Sequence, residues 1–142
     1  MTIDIQGWMD DSTVAAMGTK IRNDGSVAAR TALSEMPTIG TVRVGGRVTE
    51  LQWARSFDMG DNKYRVILAS SEPVSNALAQ HLVGQVKDDM TIMQLDLDAN
   101  RVGTGVLQIG PELGVDSDGR ITIQQRRVNP VKITSVNSKS LD

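Results

Sequence analysis

After Pro37 the chain becomes a succession of short segments in which apolar and polar residues alternate, separated by turn-forming residues. The clearest are Asn62 to Ser71 and Met90 to Asp98, where Tyr64, Val66 and Leu68, then Met93, Leu95 and Leu97, recur every second residue. Successive strand side chains point to opposite faces, so this spacing sets one apolar row on a core and one polar row in water. A chain patterned this way is constrained to an antiparallel sheet. No cluster of residues has the spacing of a catalytic, metal or phosphate site, so the sequence specifies an architecture before it specifies a task.

The 142 residues suffice for one domain, which at that size buries roughly 70% of the surface its unfolded chain exposes. We read residues 1–136 as that domain and 137–142 as a polar tail. No apolar run approaches the roughly 20 residues a spanning helix needs, so no membrane span is expected. A net charge of −2, with two Trp, one Tyr and one Phe, gives neither a pull toward polyanions nor a stacking surface. Nucleic acid is therefore not an expected partner. The absence of cysteine removes disulfides, thiolate metal sites and thiol catalysis together. The first residues, Met1 to Asp4, lack the basic and then apolar layout of a signal peptide, which suits a cytosolic protein or a mature form of an exported one.

Along the chain, Ile3 and Ile5 alternate with Asp4 and Gln6 in a short strand ending at Gly7. Asp10, Asp11 and Ser12 offer side-chain oxygens to cap a helix whose Val14, Met17 and Ile21 share a face, and Asn23, Asp24 and Gly25 stop it. Ser26 can cap a second helix running to Met36, which Pro37 ends. Strands are predicted over Ile39 to Val44 and Arg47 to Phe57, joined at Gly45 and Gly46 by a tight hairpin turn. Further strands follow at Lys63 to Ser70, Met90 to Leu97, Val102 to Ile109, Arg120 to Arg127 and Val131 to Val136. Ser71 to Asp89 is a long connection, and Gly110, Pro111 and Gly114 mark another irregular one.

Each candidate site has a plainer structural reading beside it. Asp96, Asp98 and Asn100 have the every-second-residue spacing with which calcium loops begin. The loop is incomplete, because Arg101 stands where glycine is required and Leu107 where glutamate is. The same residues also suit a hairpin turn, where Asp and Asn bond their own backbone. His81 is the single histidine, which excludes a His-based metal cage, and nothing in the sequence sets a nucleophile beside it, with Ser75 or Asp88 the nearest options. Gly103, Thr104 and Gly105 resemble part of a phosphate loop but fall inside a predicted strand, which suits a bulge or tight bend. Trp53 shares parity with Leu51 and is assigned to the core. No catalytic residue and no cofactor are assigned.

Charge is divided along the chain. Asp88 to Asp118 holds seven acidic residues and one basic, whereas Gly119 to Lys139 holds five basic and none acidic. Asp96 and Asp98 share parity with Gln94, and Arg120 and Arg126 with Thr122 and Gln124, so these rows are expected to face solvent. They are either an ordinary solvated face or an interaction surface in which Asp96, Asp98, Arg120 and Arg126 meet a partner or a copy of the chain.

The order of segments resembles an uncharacterised family of small bacterial proteins, usually made with an export signal, in which a helix pair and a proline and glycine junction precede a set of strands. The likeness is carried by Ile5 and Trp8, by Ala32, Leu33, Pro37, Ile39, Gly40 and Arg43, and by Leu51, Trp53, Ala54 and Arg55. It continues through Arg65 to Ala69, Glu72 and Pro73, then Leu95, Leu97, Asp98, Gly103, Gly105 and Leu107. It ends with Ile121, Ile123, Pro130, Val131, Ile133, Thr134 and Val136. The resemblance implies a secreted or periplasmic location and supplies no activity. The chain departs from the family pattern after Pro73 and at Asp88, Asp89 and Met90, where aromatic residues are usual, so a pocket built from them is not implied.

The expected fold is α+β and mostly antiparallel: seven to eight strands curled into a small barrel or sandwich, with an N-terminal helical hairpin, or failing closure an open sheet with helices on one face. The expected function is a noncatalytic extracytoplasmic binding module for a protein partner or a small apolar ligand. A self-assembling structural subunit is the alternative, and a hydrolase using turn aspartates the third.

Overall fold

The computed structural model describes residues 2–44, 46–72, 90–109, 112–115, 117, 121–125 and 131–137. The fold is α+β with antiparallel sheets. Strand β1 (Thr2–Ile5) is followed by the helical element α1 (Asp11–Ser34), then β2 (Gly40–Val44), β3 (Arg47–Leu51), β4 (Trp53–Asp58), β5 (Tyr64–Ser70), β6 (Thr91–Leu97) and β7 (Val102–Ile109). The last strands are β8 (Glu112–Val115), β9 (Ile121–Gln125) and β10 (Val131–Asn137). They form a three-stranded sheet in the order β1-β2-β3, a five-stranded sheet in the order β10-β7-β6-β5-β4, and a separate β8-β9 hairpin.

The expected barrel is not formed. Among the described residues no ladder joins β1 to β10, so the outer strands of the two larger sheets stay apart. The strand predicted over Arg47 to Phe57 is instead two strands that turn a corner at Gln52 and pass from one sheet to the other. Around that corner Leu51, Gln52, Trp53 and Ala54 are all buried, because the chain there has sheet on both sides. Gln52 satisfies its buried amide by accepting the Ser71 N–H at 2.9 Å, and Ser70 donates its hydroxyl to the Glu50 carbonyl at 2.6 Å.

The five-stranded sheet buries both faces, unequally. On its inner face Ala54, Leu68, Met93 and Leu107 stand opposite one another on successive strands. With Val66, Leu95 and Leu97 they pack against Val42 and Leu51 of the smaller sheet, with Ile3, Ile5 and Ile39 at its margin. On the outer face Trp53, Ala69 and Ile92 form one row, which with Met90 and Leu33 makes a second core.

Val14 and Met17 from the first half of α1 and Met36 just beyond it reach this second core. A straight helix of 24 residues would be about 36 Å long, well beyond the width of five strands at about 4.8 Å each. Gly25 resolves the mismatch: its φ of 83° and ψ of −173° break the helix, so both halves lie on the sheet. The expected pair of helices is thus present, joined by one non-helical residue. Asp10 caps the first, its carboxylate accepting the Thr13 N–H at 2.8 Å. β8 packs on α1 in the region read from sequence as an irregular connection, which corrects that reading over 112–115.

Candidate functional site

Among the described residues, α1 covers one end of the outer sheet face and leaves the other end more open. Two rows follow, one at the border of the covered part and one beyond it. Arg55, Ile67, Gln94 and Val106 stand side by side on β4, β5, β6 and β7, and Phe57, Arg65, Asp96 and Thr104 form the next row outward. In the first row all four are half-buried; in the second, Phe57 and Arg65 are half-buried whereas Asp96 and Thr104 are exposed. The register places Lys132 of β10 beside Val106.

The charges on this surface are held in place. Arg65 donates from Nε to Asp96 Oδ1 at 2.8 Å, and Gln94 donates from Nε2 to Asp96 Oδ2 at 3.3 Å. Arg55 lies over the Phe57 ring, 5.8 Å from its centroid, within the range of cation–π attraction. Its Nη1 donates to the Met9 carbonyl at 2.8 Å, and its Nη2 pairs with the Asp11 carboxylate. The surface is therefore apolar at Phe57, Ile67 and Val106, and rimmed by oriented cations, a carboxylate and an amide.

Close by, the Thr13 hydroxyl and backbone N–H and the Ser12 hydroxyl bond the Asp10 carboxylate and hold its pKa below the ordinary value, an effect the Arg55 charge reinforces. Two further acids close turns. Asp98 accepts the Asn100 N–H at 2.8 Å and the Val102 N–H at 3.1 Å, closing the β6–β7 hairpin in which Arg101 takes a φ of 62°. Asp58 does the same at the β4–β5 turn, accepting the Gly60 N–H at 2.9 Å.

The calcium candidate Asp96, Asp98 and Asn100 is accordingly not drawn together. Asp96 points along the open face to Arg65, Asp98 is engaged with turn amides, and among the described residues no group of three His, Cys, Asp or Glu could share an ion. Asp96 and Asp98 lie on the exposed surface, as their parity requires. Arg120 and Arg126, the other half of the interaction candidate, fall outside the described residues, as do His81, Ser75 and Asp88.

Gly103 to Gly105 lie inside β7, not between a strand and a helix. A Cβ on Gly103 would sit 1.8 Å from the Asp96 carbonyl oxygen, so glycine is required for the close approach of β7 to β6. Across from it the β7–β10 register shifts between Ile133 and Val136, a local bulge.

Arg55 was the functional residue least visible in the sequence. Its signal is parity: it shares a sheet face with the buried Trp53, and a cation on such a face has to find partners. Trp53 is in the core as expected, but on the face opposite Leu51, because the corner at Gln52 intervenes. Comparison with protein-family models, with curated proteins and with solved structures returns no match to this chain.

Proposed function

We propose that this chain is a noncatalytic binding module acting outside the cytoplasm, and that it docks a protein partner on the open end of the outer sheet face. The observation that carries this reading is the row Phe57, Arg65, Asp96 and Thr104, which lies beyond the helices with its charged groups already fixed by mutual hydrogen bonds. A partner meeting such a surface orders few additional side chains, and ordering is a main cost of association. An apolar centre with a polar rim is also the usual anatomy of a docking patch. The extracytoplasmic location rests on the family resemblance set out above.

An interior ligand fits less well. Val42 and Leu51 of the small sheet pack directly on Leu68, Met93 and Leu107 of the large one, so side chains occupy the space a carrier would keep for cargo. The hydroxyls of Ser70 and Thr91 are engaged with the carbonyls of Glu50 and Glu72, which argues against their use as nucleophiles.

A photoreactive phenylalanine analogue at Thr104, compared with one at exposed Val48 of β3, tests the reading in cell-envelope fractions of the source organism. The expected result is one saturable adduct with a different protein at Thr104 and none at Val48. An adduct with the mass of two copies would favour the self-assembling subunit, and the same adducts at both positions would remove the open face from consideration.

A further inference from the structure

We infer that residues 7–11 form a strap that seals the outer edge of β4, that Arg55 is its clasp, and that releasing the strap turns this edge into a pairing site for a second copy of the chain. Among the described residues β4 is the last strand of the five-stranded sheet, and an outer strand left bare is a template for strand addition. Here the Met9 N–H donates to the Ala54 carbonyl at 2.8 Å, so part of the edge is occupied by the chain's own backbone. That bond also fixes which way the backbone faces. Ala54 points its polar groups outward, and so by alternation does Ser56, two residues along.

The clasp holds the strap from the neighbouring residue. Arg55 reaches over the edge to the Met9 carbonyl and to Asp11, so one guanidinium grips the middle and the far end of the covering segment. The grip is a light one. Asp11 is 92% exposed and water competes for its charge. Arg55 Nε is buried with no hydrogen-bond partner, a cost that release into water removes. An exposed pair of this kind shifts a local opening equilibrium by only about two- to five-fold, so the strap is poised to open without unfolding of the core.

The identity of the occupant follows from the edge it would meet. Two β4 strands related by a two-fold axis at Ser56 pair outward-facing Ala54 with Asp58 of the other copy. The same register sets Arg55 opposite the second copy's Phe57. Arg55 already stacks on Phe57 within one chain at 5.8 Å, and after leaving Asp11 it can make the equivalent contact across the new seam. The edge is therefore complementary to itself.

Asp11→Lys tests the clasp, because the substituted side chain is exposed and sets a like charge against Arg55. Amide exchange at Met9 is expected to quicken at least two-fold, with the appearance of dimers that grow with concentration in sedimentation runs. Adding Ser56→Pro, which removes an outward N–H of the kind an outer strand tolerates losing, is expected to restore the original mass while leaving the fast exchange. Asp11→Asn serves as a milder variant if the lysine disturbs the helix start, with the same direction and a smaller rise. Unchanged Met9 exchange in both variants would overturn the clasp. Fast exchange without dimers, or dimers that persist with Ser56→Pro, would overturn the pairing site.

Discussion

The two ends of the outer sheet face are built on the same strands with the same pairing, yet one is core and the other is surface. At the covered end Trp53, Ala69 and Ile92 lie under α1, and at the open end Phe57, Arg65, Asp96 and Thr104 face outward. β6 records the change along its length: Thr91, Ile92 and Met93 are all buried, whereas Gln94 to Leu97 alternate. A strand with cover on both faces reads as continuous burial, and one with cover on a single face reads as alternation. The position where the pattern changes therefore marks the border of the helical layer.

The sharpest way to break this comparison is to cut into adjacent residues on opposite faces. Leu68→Ala, fully buried between the sheets, is expected to lower unfolding free energy by about 2–5 kcal/mol in a urea titration. Ile67→Ala, one position along on the half-buried face, is expected to cost less than half as much. Equal losses would mean that the outer face is as enclosed as the inner one.

Next in size is Gly103→Ala, expected to cost about 1–3 kcal/mol because the new methyl collides with the Asp96 carbonyl. Thr104→Ala, beside it on the open row, is expected to stay within about 0.5 kcal/mol of the parent. The Arg65–Asp96 pair comes lower still. A double-mutant cycle is expected to return about 0.2–1 kcal/mol, shrinking as salt is added, which would place its value in orienting charge and not in stability.

The smallest effect is one of pH. Because hydrogen bonding depresses the Asp10 pKa in the folded state, its contribution is present above the ordinary value of 3.8 and is lost as pH falls through the depressed one. Helicity followed by circular dichroism is expected to decline over that acid range in the parent, and Asp10→Asn is expected to lack that component.

Much of this fold was legible in the sequence, and the particular residues show why. Parity assigned Tyr64, Val66, Leu68, Met93, Leu95 and Leu97 to one core row and Asp96 to solvent, because alternation is a local property of a strand; all of that row but Tyr64, exposed at the start of β5, are buried. Asp98 was legible as a turn former for the same reason, whereas Gly103, read as a bulge or bend, proved to be a point of close approach to β6. The corner at Gln52 was not, since a strand that changes sheets keeps its apolar content while exchanging the neighbours on each face. The strap was invisible because it depends on a bond between Met9 and Ala54, 45 positions apart, which no periodicity encodes. Of the open face, parity marked Asp96 alone as a candidate; Arg55 and Arg65, noted only as part of a family likeness, gained meaning from the partners that folding brought to them.

The turn at Gln52 has a mechanical consequence. A single length of backbone serves as the last strand of one layer and the first of the next, so the two layers are riveted by covalent bonds as well as pressed together by hydrocarbon. Tension applied to the N-terminal layer would be carried straight into the larger one, and neither could peel away without tearing hydrogen bonds in its neighbour.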